Sequence, residues 1–497
     1  MSKASPLLAV GLLAVALGGC SDGDGPLDLG VGATPDLAFD AAVARAVDLG
    51  QGVGLAGTRI LPGRYSLLGV TDDDQVVFYD AHGLVETLPL AGGALTSIDP
   101  DAQFVVLDGQ SVFSWRAVGQ TSLVGKLLAW SATSGLHEVA AASSIGDAAA
   151  TSDGASLLFS DHASDDGRTI DFVLAHADGS SPTTVQSSRA SGRAGCQPQL
   201  ARMGARFVLA SCEAAGDGGA GAARVVTIDA QSGAVTTLFD DVRPFWVADA
   251  RGTRLLAIAE GGTALVRALD ASGPATIVDA DVADAQFLAD GNALIYTTTS
   301  GALKRTSLEV IAPVTLVAEG ARALRGLSPD EKWVIYRDQL DAVAFTSDLS
   351  LASTESPGPP LGLVDSVSGA VFGDCFTDKS SHVLYYADVD SDGAGRLVSR
   401  SLAGAPGTER NLGDLVWLSF AVDGSKIVYN DHWKATQLSG RADLRAIDLS
   451  GLAAGTPSVL LAAGAEQDFA FSASRDRVVY SYAVSMAKGG LYVAKLP

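Results

Sequence analysis

The chain has 497 residues and a formal net charge of −23, with 47% hydrophobic and 18% charged residues. That acidity excludes nucleic-acid binding through a basic face. The 56 glycines and 18 prolines exclude a helical bundle and suit many short strands joined by turns, and the length allows one large repeat ring or several ordinary domains.

Lys3 is the only charge before Asp22, and residues 6–17 form an apolar run too short to span a bilayer but long enough for the core of a signal peptide. It ends in Leu17-Gly18-Gly19-Cys20, which resembles the lipobox of bacterial lipoproteins. The resemblance implies that residues 1–19 are a signal peptide cut before Cys20, whose thiol and amine then carry acyl chains. The plainer alternative is an ordinary secretory signal that contains a cysteine. Residues 20–50 follow as a tether and ring-closing segment, beginning with the acidic, flexible Ser21-Asp22-Gly23-Asp24-Gly25-Pro26. Several acyl chains on Cys20 would hold the protein at a membrane without a transmembrane helix. Ser21 at the second mature position points, by analogy with enteric sorting, to the outer membrane of a bacterial envelope.

From about residue 51 to 497 one phrase recurs: a turn rich in Ser, Asp and Gly, then a β-branched and aromatic strand. Its clearest copy is Leu327-Ser328-Pro329-Asp330-Glu331-Lys332-Trp333-Val334-Ile335-Tyr336. In chain order the turns fall near residues 63, 101, 153, 203, 250, 290, 330, 378, 423 and 474, which makes ten units. Each interval holds four strands of ordinary length, the content of a propeller blade. The second half of a unit is visible in Arg224–Asp229, the turn Gln231-Ser232-Gly233 and the apolar run after it. Helical periodicity is confined to an Ala-rich piece at residues 38–47. The expected fold is an all-β propeller of about ten four-stranded units, with seven to ten blades.

These turn-plus-strand phrases resemble the repeats of the TolB-type (WD40-like) propeller family. None of the six tryptophans is followed by Asp, so the WD signature itself is missing. The resemblance implies an interaction scaffold of the periplasm or envelope and brings no catalytic residues. It also implies six blades, against the ten units counted.

Catalytic motifs are absent. Gly19-Cys20-Ser21-Asp22-Gly23 matches a nucleophile-elbow pattern but straddles the cleavage site, and His137-Glu138 is not continued to a second metal-binding histidine. Asp388-Val389-Asp390-Ser391-Asp392-Gly393 alternates carboxylates before a glycine, as a Ca²⁺ loop does. Position twelve, however, is Ser399 rather than Glu, and an acidic turn between the second and third strands of a blade is the bland reading. Asp161, Asp165 and Asp166 occupy the equivalent place in an earlier unit. Trp433, beside His432 in an expected loop, is the aromatic placed to meet a ligand; the other aromatics near strands read as blade packing.

Two structural expectations complete the reading. The last unit lacks a fourth strand, which a segment between Leu37 and Leu49 would supply. Cys196 and Cys212 flank Gly204 symmetrically, so they face each other across a hairpin and form a disulfide, leaving Cys375 free. The functional expectation is a lipid-anchored, non-catalytic scaffold that binds an envelope protein or a glycan. The alternative is a propeller enzyme of lyase or glycosidase type with its site in the axial channel.

Overall fold

The computed structural model describes residues 55–497 apart from 118–123, 145–147, 162–168, 190–197, 213–222, 329, 339–345, 369–381, 388–393, 402–408, 418, 423–425, 436–439, 449–456, 467 and 484–487. Every described element is a strand or a turn, and the strands pair antiparallel throughout. They form ten blades, at 66–99, 104–144, 148–189, 199–242, 242–279, 282–317, 323–368, 382–416, 419–466 and 469–495, numbered 1 to 10 below. Blades 4 and 5 share the long strand Val235–Ala248. Its first half pairs with Ala223–Asp229 and its second half with Arg254–Ala259, and Val242 belongs to both ladders. Blade 8 has three described strands.

The second strand of each blade is apolar on both sides because a blade is sandwiched between two others. In blade 7, Val334 and Tyr336 pack toward blade 6 while Ile335 packs toward blade 8. The same division recurs, so the core is a series of apolar clusters at the boundaries between consecutive blades, one of them shared by blades 7, 8 and 9. The series ends on a cluster in which Val479 and Leu491 of blade 10 meet Val76, Phe78 and Leu88 of blade 1. The ring is therefore closed.

Closure uses the N-terminal end of the fold. The strand Thr58–Pro62 pairs with Gly490–Lys495 and becomes the fourth strand of blade 10. A closing strand from the N-terminal side was expected, but from residues 37–49, which lie outside the described residues along with the Ala-rich piece at 38–47. Glycine is required on both sides of the seam: a Cβ on Gly57 would lie 2.1 Å from Val493 O, and one on Gly490 would lie 2.3 Å from Leu61 O. The Tyr480 hydroxyl donates to Ala56 O at 2.6 Å and fastens the incoming chain.

The recurrent turn has a physical reason. In blade 7 Ser328 Oγ accepts from Trp333 N–H at 3.0 Å and donates to Asp330 Oδ1 at 2.6 Å. Thr71, Thr151 and Ser472 accept the corresponding backbone N–H in blades 1, 3 and 10, and Asp249 does so with its carboxylate in blade 5. The fourth residue of each such turn has positive φ, with Gly at 154, 252 and 291 but Asp74, Glu331 and Arg475 elsewhere. Two of these costly non-glycine positions are compensated by bonds across a blade boundary: Asp74 Oδ1 accepts from Ala473 N–H at 2.8 Å, and Glu331 accepts from Ala289 N–H.

Two expected turns fall elsewhere. Pro62-Gly63 and Asp99-Pro100-Asp101 join one blade to the next, whereas the first hairpins of blades 1 and 2 turn at Asp72–Asp74 and at Gly109-Gln110. Turn dipeptides serve both kinds of connection, so composition alone assigned them to the wrong one.

Candidate ligand site on the upper face

Antiparallel pairing sends the connections between strands 1 and 2, and between strands 3 and 4, to one face of the ring, here the lower. Connections between strands 2 and 3, and from blade to blade, emerge on the upper face. In blades 1, 5 and 6 the upper connections are tight turns closed by Asp80, Ala259 and Thr298. Those of blades 3 and 8 are longer and include residues 162–168 and 388–393. The candidate calcium residues Asp388, Asp390 and Asp392 fall in this second group, between the second and third strands of blade 8, and lie outside the described residues. Asp165 and Asp166 do too; Asp161 ends a strand of blade 3. Cys20 is likewise outside them.

Trp433 does come to the upper face, though in a strand rather than a loop. It lies in Lys426–Ala435, the second strand of blade 9, whose ladder with Gly440–Asp448 slips between Asp431 and Lys434. His432 takes a φ of 54° at this bulge. A bulge re-aims side chains, and here it brings Trp433 against Trp417, which sits on the connection from blade 8 to blade 9. The two indoles stack with centroids 5.7 Å apart and planes 15° from parallel. Leu415, 38% exposed, stands two residues before Trp417 in the chain.

Polar groups border the indoles. His432 Nδ1 is 3.2 Å from Asp443 Oδ2 and 3.7 Å from Asp431 Oδ2, and the imidazole is half exposed. Asp431 is buried; its Oδ1 accepts from the N–H groups of Asp414 and His432, both at 3.0 Å. Its Oδ2 pairs with Arg445 Nε at 3.1 Å, a charge contact too far out of line to be a hydrogen bond. Asp443 Oδ1 accepts from Gly464 N–H at 3.0 Å, and Asn411 Nδ2 donates to Asp414 Oδ1 at 2.6 Å. His432, with its carboxylate partners, thus adjoins Trp433, Asn411 and Asp414 precede Trp417 in the chain, and backbone amides fix Asp431 and Asp443. Nothing in the sequence marked Trp417, Asp443 or Asp431, because the bulge that gathers them has no turn residue to announce it.

Carboxylates along the channel wall serve the ring. Asp284, on the first strand of blade 6, accepts from Leu324 N–H of blade 7 at 2.8 Å. Burial pushes its carboxyl up to about 6, against the opposing pull of its backbone hydrogen bonds and Arg325. Asp108 of blade 2 accepts from Ala150 N–H of blade 3 at 2.6 Å, and burial raises it too. On the lower face an open depression of about 550 Å³ between blades 2 and 3 is lined by His137, His176 and Asp178. Two of its polar groups have local backbone partners: His137 Nε2 contacts Ser134 O, and Asp178 Oδ1 accepts from Ser180 N–H. Among the described residues no three His, Cys, Asp or Glu converge to hold a metal ion.

Cys212 is disulfide-bonded, with its partner outside the described residues. The expected symmetric register does not hold. Met203 pairs with Arg206 and Gln199 with Ala210, so each described pair sums to 409, not the 408 that the symmetric reading requires. A two-residue turn, Gly204-Ala205, puts the axis of the hairpin between residues instead of on Gly204. Cys196 and Cys375 both lie outside the described residues.

No family model and no characterised protein matches the sequence. Similar solved structures are propellers or contain them. The WD40 domain of Sif2 is 12% identical at a TM-score of 0.39, with 71% of this chain and 96% of that one covered. The β-propeller domain of the Trilobed protease from Pyrococcus furiosus is 11% identical at a TM-score of 0.32, covering 60% and 92%. The tricorn protease is 10% identical at a TM-score of 0.31 over 87% of this chain, which spans about half of that protein's length (52%).

Proposed function

We propose that the protein is a lipid-anchored propeller of the bacterial cell envelope, of TolB type, that binds a glycan on its upper face without turning it over. The stacked Trp417–Trp433 pair carries the reading. An exposed indole face matches the apolar C–H face of a pyranose, and polar groups around it bond the equatorial hydroxyls. In this reading Asn411, His432 and Asp443 are the groups that would bond those hydroxyls. A glycosidase needs two carboxylates aimed at one scissile bond; here Asp431 is committed to two backbone amides and Arg445, and Asp443 to His432 and Gly464.

The reading is tested by titrating the protein with soluble envelope glycans, β-1,4-linked N-acetylglucosamine oligomers first, while following tryptophan emission. Binding that disappears in Trp433→Ala, with no new reducing ends formed, is the expected result. Saccharide binding that survives Trp433→Ala and Trp417→Ala would remove the site, and release of reducing ends would replace scaffold with enzyme. The anchor has its own test: Cys20→Ser should move the protein from the detergent phase to the aqueous phase. Wild-type protein found in the aqueous phase would refute lipidation.

A further inference from the structure

The large apolar side chains that remain exposed are not scattered. Of the ten such residues among those described, nine lie at the start of a blade's fourth strand or in the turn that leads into it; Leu415 is the exception. All nine are therefore on the outer circumference at the lower face. Blades 5, 6 and 7 hold the densest sector: Ile277 is 64% exposed, Val310 69% and Val314 51%, with Ile311 and Leu361 beside them. Leu95, Leu136, Val235 and Val459 hold the same place in blades 1, 2, 4 and 9. Isolated surface apolar residues are ordinary. Confinement to one rim is not, because strand 4 is the blade's open edge at either end, yet among the described residues only Leu415 is exposed in this way at its upper end.

The chain also enters the ring on this face. Thr58 pairs with Val493 and Pro62 with Gly490, so the closing strand runs from the lower face to the upper, and residues 55–57 approach beside the C-terminal end. Everything before residue 55, Cys20 included, is attached there. Only 35 residues, 20–54, separate Cys20 from this face, which bounds how far the lower face can stand from whatever Cys20 is fixed to. The charges in the turns that lead into the fourth strands of blades 5 to 7 are acidic, Asp270, Glu309 and Glu355. An anionic lipid surface would repel them, and an electrically neutral one would not.

We propose that the lower rim over blades 5–7 docks on the surface of a neutral bilayer, so that the ring lies flat on the membrane with its upper face turned outward. This rests on the membrane-anchored reading above, and the experiment separates the two. The chain from Ser21 onward, which keeps every described strand but no acyl group, is mixed with phosphatidylcholine vesicles and sedimented. Ile277→Ser, Val310→Ser, Val314→Ser and Leu361→Ser together should weaken vesicle partitioning about tenfold or more, since each removes apolar area from the contact. Val310→Trp, a single change at the most exposed site, should give emission that shifts to the blue on adding vesicles. Equal sedimentation of the parent and the fourfold variant would overturn the proposal, and so would unshifted emission from Val310→Trp. A rim-dependent dimer in sedimentation velocity without vesicle binding would assign the rim to a second copy and overturn it too. None of these outcomes bears on whether Cys20 is acylated in the full chain.

Discussion

Gly57 and Gly83 make a matched pair for measuring what the closing strand contributes. Both have positive φ, +91° and +81°. Nothing lies within 4 Å of a Cβ placed on Gly83, whereas one on Gly57 would sit 2.1 Å from Val493 O and 2.7 Å from its carbonyl carbon. Gly83→Ala therefore bears only the cost of a left-handed alanine, about 1–2 kcal/mol. Gly57→Ala bears that cost and must also push the closing strand away from its neighbour by about 1 Å, which strains or breaks one or two ladder hydrogen bonds at about 1 kcal/mol each. The expected excess is about 1–2 kcal/mol, which brings the total for Gly57→Ala to about 2–4 kcal/mol. Spread over a cooperative unit of this length it moves the melting temperature by only a few degrees, so the informative assay is hydrogen exchange. Amides at 58–62 and 490–495 should open about a hundredfold more often in Gly57→Ala, with the amides of blades 4 to 6 unchanged. Equal protection of the seam in the two variants would refute the reasoning.

Three other predictions follow from the same structure. Asp284, raised to about 6 by burial, binds its proton more tightly folded than unfolded; its contribution is therefore present below about pH 4 and is lost as pH rises through 6, by about 2–3 kcal/mol. Asp284→Asn keeps an acceptor for Leu324 N–H and should flatten that part of the stability–pH curve, and an unchanged slope in urea melts at pH 4, 5, 6 and 7 would contradict it. Ser328→Ala removes the acceptor of Trp333 N–H and the donor to Asp330 and should cost about 1 kcal/mol in a denaturant titration, while a neutral result would mean that Asp330 alone holds the turn. For Cys212, thiol counting on denatured, unreduced Cys196→Ser and Cys375→Ser chains identifies the partner, since only loss of the true partner exposes Cys212; the pairing with Cys196 fails if Cys375→Ser is the variant that frees it.

The repeat was legible because blade packing imposes a signature that the solvent-facing strand of an ordinary sheet lacks. Residues such as Val334, Ile335 and Tyr336 are apolar in succession because a blade lies on each side of them. The turn before them is written in side chains that bond their own backbone, as Ser328 and Asp330 do. What stayed hidden depends on single residues of register. Whether the axis of a hairpin falls on Gly204 or after it decides which residue faces Cys212, and composition does not report it. The slip at Asp431 joins Trp433 to Trp417 in the same silent way. The closing strand was foreseen in kind from the missing fourth strand, but its position was fixed by two glycines, Gly57 and Gly490, whose need appears only when the strands meet.

Closure at blade 10 also sets an order of events. Nine boundaries join blades that are neighbours in sequence, so each can form as soon as the next blade exists, and an arc can grow from either end or from the middle. The tenth, between blades 10 and 1, depends on the ladder that joins Thr58 to Val493. For a disordered chain, bringing such distant ends together costs about 5 kcal/mol in loop-closure entropy; a completed arc delivers them already close. The seam must then be the last contact made, and until the final strand Gly490–Lys495 is synthesised the N-terminal strand has no partner. During that interval Thr58–Pro62 is an unpaired strand, a surface on which two chains would join in error, beside the outer edges that every finished blade keeps.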